Sequence, residues 1–463
     1  MILKKFIGDK AFYKRVLTIS LPILLQNIIT NFVSLLDNIM VGRLGTEQMS
    51  GVAIVNQLIM IFYLCIFGAI SGAGIFTAQY FGKGDMKGVR HTFRQKIILV
   101  SIIVILAEFV FIKWGSSLVQ LFLHEGEEGI SLEATLKYAM DYIKIILVSL
   151  PVFAITQAYS DTMKSTGDTV TPMKASIVAV IVNMSLNYVL IFGKLGVPAL
   201  GVSGAAIATV CARFAECLML VVRAHTKSKN YEFIQGAYKS LKVPKDLWKS
   251  VALKGFPLIL NETMWSLGMT AVVQAYSFRG IEVVSALNIS TTVSNLFNCA
   301  FFAIGSAISI MVGQLLGAGQ LEKAKDEDNK LIFCAVASCI VIGVVMAAFA
   351  PLIPKIYNTT ENVKNIACEL LIISAVLMPV HAFTHASYFT LRSGGKVVVT
   401  FLFDSVYLWC ISIPAAYILT RLTNLPIIPV FILVQVFDVI KAFVGFFLLK
   451  SGVWVNNLVS GKR

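Results

Sequence analysis

The sequence predicts an all-α polytopic membrane protein: twelve transmembrane helices in two homologous six-helix lobes related by a pseudo-two-fold axis along the membrane normal. Three observations predict it: an apolar composition, twelve apolar runs of spanning length, and an internal repeat. Of 463 residues, 57% are hydrophobic and 14% charged, with a mean hydropathy of +0.80. A soluble domain carries roughly 25% charged residues.

A bilayer core about 30 Å thick needs roughly 20 apolar residues per helix. Such runs lie near residues 16–41, 51–77, 97–121, 135–157, 171–193, 198–222, 251–277, 283–311, 331–353, 366–389, 397–419 and 426–449. Barrel strands alternate over about ten residues, whereas these runs are continuously apolar and longer. The longest polar stretch, Arg223 to Lys254, has room for little more than one surface helix. The first apolar run is too long for a cleavable signal peptide, and no small-residue cleavage site follows it. The division expected is an N-lobe over 1–222, a cytoplasmic linker over 223–250 and a C-lobe over 251–463.

The net charge of +14 is topological. With both termini cytoplasmic, inner segments carry 28 Lys and Arg and outer loops carry seven, the bias of the positive-inside rule. That distribution excludes a nucleic-acid partner and places a multi-pass chain in the plasma membrane, with lipids as its surroundings. The eight cysteines all fall in apolar runs without CxxC spacing and read as small buried hydrophobes.

An offset of 235 carries the first helix pair onto the seventh and eighth without a gap: Pro22 meets Pro257, Gly45 meets Gly280, Glu47 meets Glu282 and Ser71 meets Ser306. The loop Gln79-Tyr80-Phe81-Gly82-Lys83-Gly84 meets Gln314-Leu315-Leu316-Gly317-Ala318-Gly319. At an offset of 228, Pro151-Val152 meets Pro379-Val380, Thr156 meets Thr384, and Lys164-Ser165 with Gly167 meets Arg392-Ser393 with Gly395. Six spans per repeat is an even number, so both repeats enter the membrane from one side. Parallel repeats of this kind suit a transporter that rocks about a central site.

From about Phe12 to Trp454 the chain resembles the multidrug and toxic compound extrusion family. The residues that carry the likeness are Gln79…Gly82-Lys83-Gly84-Asp85 with its copy at Gln314…Gly319, and the stretch Ser165-Thr166-Gly167-Asp168-Thr169, Pro172, Asn183, Asn187, Gly193, Gly201 and Gly204 to Thr209. The resemblance implies a V-shaped pair of lobes exporting amphipathic, mostly cationic compounds, driven by inward movement of Na⁺ or H⁺, with no other cofactor. A monomer is expected.

Ionisable groups inside spans are costly and mark function unless paired. Asp37 lies about 31 Å of helical rise from Val16, in the outer part of the membrane. Asn183 and Asn187 share one helical face, and Thr209 reaches a comparable depth. One carboxylate with amide and hydroxyl oxygens suits a hard cation, and these four positions match the family's N-lobe cation site. Some members carry a second acid where Asn187 stands. The plainer alternative is a capping Asp37 and helix-gluing asparagines.

Substrate candidates lie in the C-lobe. Glu262, five residues past Pro257, would attract a cation, although several family members carry their acid a turn later, where Trp265 stands. Trp265 would stack a cationic aromatic or simply pack. His381 occupies a place where some relatives carry an acid. With His385 it lacks the further ligands of a metal site. Asp404 has a claim like that of Glu262. The pairs Asp141/Lys144, Arg213/Glu216 and Asp438/Lys441 stand i, i+3 and read as structural neutralisation. Glu108 has no such neighbour.

No P-loop, GxSxG or HExxH occurs, so neither ATP-driven transport nor those hydrolase chemistries is expected. An intramembrane enzyme would not need a parallel repeat, and a channel would pass solute without a coupling ion. A lipid-linked oligosaccharide flippase would need a more cationic cavity, whereas the lone mid-span charges here are mostly acids, which favours cationic cargo. The topology is tested directly: a cysteine placed at Lys239 should resist an impermeant maleimide added outside intact cells, and labelling there would invert the assignment.

Overall fold

In hydrocarbon every backbone N–H and C=O must find its partner within the protein, which helices achieve segment by segment. The computed structural model describes residues 6–123, 131–357 and 359–460, the side chain of Leu35 excepted. Among the described residues it is helical, without strands: α1 (Lys10–Gly42), α2 (Thr46–Lys83), α3 (Met86–Gln120), α4 (Leu132–Ile146), α5 (Ser149–Ser165), α6 (Val170–Phe192), α7 (Gly201–Thr226), α8 (Lys245–Ser277), α9 (Ile281–Gly317), α10 (Leu321–Phe349), α11 (Glu361–Ser393), α12 (Val397–Leu422) and α13 (Ile427–Lys450).

Each of the twelve apolar runs falls on a helix or on the α4/α5 pair, which is bent by 49°. Ten helices, or eleven spans with that pair, are long and apolar enough to cross a membrane among the described residues. The remaining segment, α8, has the length at 33 residues, but Asn261, Glu262 and Thr263 interrupt its apolar character. In α12 the turns Leu402–Val406 and Leu408–Ser412 are π-helical. They precede Pro414, which has no N–H for the carbonyl of Cys410 and crowds it, so the turns before it widen.

Packing gathers the chain into two compact units that cut across the linear halves. One holds Leu25–Thr77 and Asp85–Gly255; the other holds Met1–Leu24, Ala78–Gly84 and Phe256–Arg463. Both α1 and α8 are therefore divided within three residues of their proline, Pro22 and Pro257. In the second unit Val16, Ile19 and Ile23 of α1 join a core with Ala307, Met311 and Leu391. In the first, α8 meets α2 at a glycine pair so tight that a Cβ on Gly72 would lie 2.5 Å from the Gly255 Cα.

The first unit also takes in the polar stretch after α7. This is no free linker. It makes two short 3₁₀ turns whose carbonyls hold Arg94, which donates to Ala237 and Gly236 at 2.7 Å each, while the Tyr231 hydroxyl donates to Asp168.

The repeated glycine motif has a physical reading at each position. A Cβ on Gly82 would lie 1.8 Å from the Gln314 carbonyl oxygen, and one on Gly317 would lie 1.9 Å from the Gln79 carbonyl oxygen. Both pairs lie in the second unit. The contacts exchange the repeats, as contacts across a local two-fold do. Gly84 and Gly319 follow with φ of +79° and +74°, the left-handed region that only glycine enters without strain. Asp85 then caps α3, accepting from the Gly88 N–H at 2.9 Å, a bond without a counterpart at Gln320. Gln79 is fully buried and satisfied on both sides: it donates to Ser393 O at 3.0 Å and accepts from the Leu458 N–H at 2.7 Å.

Gly82→Ala should lower the melting temperature in detergent, at a cost of about 1–3 kcal/mol or more for overpacking against backbone. Gly115→Ala, whose Cβ would meet only side-chain atoms at 3.9 Å, should be neutral or gain up to about 1 kcal/mol from helix propensity. Equal melting temperatures for the two variants would contradict this account of the crossing.

Candidate functional site

The first unit brings the four cation-site candidates into contact. Asp37 on α1 is half-buried, and Asn183 and Asn187 on α6 are buried. Asn187 donates from Nδ2 to Asp37 Oδ1 at 2.6 Å. With its amide nitrogen toward the carboxylate, Asn183 donates to Asp37 Oδ1 and Oδ2 at 2.9 and 3.2 Å. Thr209 Oγ1 on α7 lies 3.5 Å from the Asn183 amide. The Asn187 carbonyl oxygen is buried and accepts no hydrogen bond from another described residue, a costly state for a polar atom out of water. Both amides turn their N–H groups toward the carboxylate and so compensate its charge; turned over, they would put their oxygens beside Asp37 and Thr209 as ligands for a hard monovalent cation.

Behind Asp37 runs a buried chain that sequence spacing shows only in part. The expected Arg213–Glu216 pair is present at 3.2 Å, as is Asp141–Lys144 at 3.6 Å. Glu216, only 5% exposed, also accepts from Ser176 at 2.7 Å, and Ser176 accepts from Gln26 Nε2 at 2.7 Å. Gln26 stands one helical turn past Pro22. Arg213 lies over the Phe153 ring at 4.9 Å and within electrostatic reach of Asp37. Further along, Lys96 is fully buried and paired with Asp161 at 2.6 Å. Sequence reasoning missed this pair, since Lys96 begins an apolar run and its partner lies on α5.

The second unit gathers Glu262, Asp404 and His381 in another cluster. The Tyr388 hydroxyl donates to Glu262 at 2.8 Å. Asn261 donates to Asp404 Oδ2 at 3.1 Å, and Lys441 donates to Asp404 Oδ1 at 2.6 Å. Ser405 donates to the Asn261 side-chain and backbone oxygens at 2.8 Å each. The expected Asp438–Lys441 pairing is therefore corrected. Lys441 reaches across to α12, and Asp438 faces His381 at 3.9 Å. A buried ammonium takes the partner that is itself desolvated and hydrogen-bonded, where attraction is least screened.

The offsets that align the repeats relate the two clusters. They carry Gln26 onto Asn261, Ser176 onto Asp404 and Arg213 onto Lys441. The bond Gln26–Ser176 thus recurs as Asn261–Asp404. In each repeat an amide one turn past the first proline holds a polar residue on the fifth span, and a basic residue on the sixth span stands beside it.

Other candidates take plainer places. Trp265 packs against the apolar cluster of Val272, Leu287 and Val434. His385 stacks on Phe301, with ring centroids 4.6 Å apart. Among the described residues no three His, Cys, Asp or Glu side chains could hold a metal. Glu108 is half-buried, with no hydrogen bond or ion pair to another described residue. Cys211 and Cys410 are exposed on their helices, so not all eight cysteines are buried. Asp328, 2% exposed, accepts from Thr390 at 2.6 Å and was not foreseen.

The MatE family profile matches residues 22–189 and 257–418, one stretch in each repeat. A probable multidrug resistance protein of Bacillus subtilis, YoeA, is 26% identical over 418 residues, covering 89% of this chain and 88% of its own. A probable multidrug resistance protein of Thermotoga maritima, NorM, is 24% identical, covering 96% and 94%. A solved structure described as the outward-facing conformation of a multidrug resistance MATE family transporter superposes with a TM-score of 0.84 at 18% identity, over 97% of each chain. With both repeats matched and the helical fold shared, the chain belongs to the MatE family of multi-pass membrane transporters.

Proposed function

We propose that the protein is a cation-coupled antiporter that exports amphipathic, mostly cationic compounds by alternating access, from a plasma membrane in which both termini face the cytoplasm. The single observation that carries the coupling is the Asp37 cluster: one carboxylate with Asn183, Asn187 and Thr209 around it. Na⁺ is the better fit of the two coupling ions. A sodium ion beside Asp37 would take amide oxygens once Asn183 and Asn187 turn over from the N–H contacts they make with the carboxylate, whereas a proton needs only the carboxylate. The relatives' description as multidrug resistance proteins supports export of drugs. The half-buried carboxylates of the second unit support a cationic cargo.

In proteoliposomes with separately imposed Na⁺ and H⁺ gradients, wild-type efflux of a fluorescent cation should follow the Na⁺ gradient. Asp37→Asn removes the cluster's formal charge and should abolish coupling, while Asn187→Ala should raise the Na⁺ concentration needed for half-maximal efflux. Efflux by Asp37→Asn that still responds to both gradients would sink the assignment.

Glu262→Gln should weaken cationic substrates by about 1–3 kcal/mol and spare neutral ones. Equal losses on both substrate types would move Glu262 out of cargo recognition.

A further inference from the structure

The cluster in the second unit holds more charge than its cargo role needs, and the balance is informative. Three carboxylates, Glu262, Asp404 and Asp438, stand with two permanent cations, Lys441 and Arg392, all within electrostatic reach of one another or of the histidines between them. With His381 and His385 neutral, the cluster carries one net negative charge. The two acids nearest each other are unequally engaged. Asp404 is held on both oxygens, by Lys441 at 2.6 Å and Asn261 at 3.1 Å. Among the described residues Glu262 has only the neutral Tyr388 hydroxyl as a hydrogen-bond donor, with Arg392 acting on it from further off. Lys441 is held in place: its ammonium also lies 5.2 Å from the Phe403 ring centre, and Asn261, which orients Asp404, is locked by Ser405. Its side chain and that of Asp404 are each 14% exposed, so a bound cation would feel both.

We propose that Lys441 is a tethered counter-cation that sets the charge of the cargo: it fills the place beside Asp404 that a second positive group would take, leaving one unit of charge for the substrate at Glu262. The transporter then selects organic monocations over dications. The inference rests on the reading of this cluster as the cargo site. The repeat supports it from a separate direction. Arg213, the equivalent of Lys441, is likewise committed to an acid, Glu216, at 3.2 Å, so a built-in cation at this position belongs to the design of both halves.

The test compares tetraphenylphosphonium with methyl viologen, a monocation and a dication, in proteoliposomes of full-length protein that elutes as a single species. Wild type should favour the monocation. Lys441→Met, and Lys441→Gln, which keeps a hydrogen bond to Asp404 but not the charge, should raise the dication-to-monocation rate ratio about tenfold or more, since a second charge then meets an uncompensated carboxylate. Lys441→Arg should hold the wild-type ratio. The double variant Lys441→Met with Asp404→Asn, which removes both charges, should return the ratio toward wild type. An unchanged ratio in Lys441→Gln, or a double variant that shifts as far as Lys441→Met alone, overturns the proposal while monocation transport stands. A wild-type protein that moves neither cation under any gradient overturns the cargo reading and this inference with it.

Discussion

A charged side chain inside an apolar helix bundle must be compensated where it stands, because no water is at hand to do it. Most of the polar architecture here follows from that constraint. Lys96 is fully buried and has Asp161; Glu216 has Arg213 and Ser176; Asp404 has Lys441 and Asn261. The compensation is graded, and Glu216 and Asp404 each have a cation at hand. Asp37 is compensated by the neutral amides of Asn183 and Asn187, with Arg213 acting from further off.

The repeat turns this constraint into a comparison within one chain. Both halves keep an amide one turn past the first proline, bonded to the fifth span, with a basic residue on the sixth. They differ in where the acid sits: on the sixth span as Glu216 in one half, and on the fifth as Asp404 in the other. Moving the acid from one helix to the next keeps the same helix pairs bonded, the first span with the fifth and the fifth with the sixth. The duplicated scaffold has diverged in this way without rebuilding the bundle.

The spans, the repeat and the local pairs Asp141/Lys144 and Arg213/Glu216 are legible in the sequence, because each depends on spacing within one helix or on self-similarity. So is the meeting of Asp37 with Asn183 and Asn187, once the family likeness supplies the register between helices. Lys96 with Asp161, Asp328 with Thr390 and Lys441 with Asp404 are not legible, because their partners lie on other helices and depend on helix rotation. Two of them are also disguised. Lys96 opens an apolar run and Asp328 sits in the acidic stretch Asp326-Glu327-Asp328, where a solvated helix start is the natural reading. The pairing assumed for Asp438 and Lys441 shows the limit plainly: i, i+3 spacing permits an ion pair, but a better desolvated partner across the helix interface wins. The compact units were also hidden, since the exchange of the first turns of α1 and α8 leaves no mark in hydropathy.

The buried amide of Gln79 carries a consequence for biosynthesis. It accepts from the backbone of Leu458, 379 positions further along the chain, and donates to Asn456 and Ser393. At about 5–20 residues per second, α2 enters the membrane on the order of 20–75 s before that backbone exists. Throughout that interval the amide has to be satisfied by water or a transient partner. The residues after α13 thus complete the packing of the first hairpin, and the mature fold of the early helices waits on a segment made long after them.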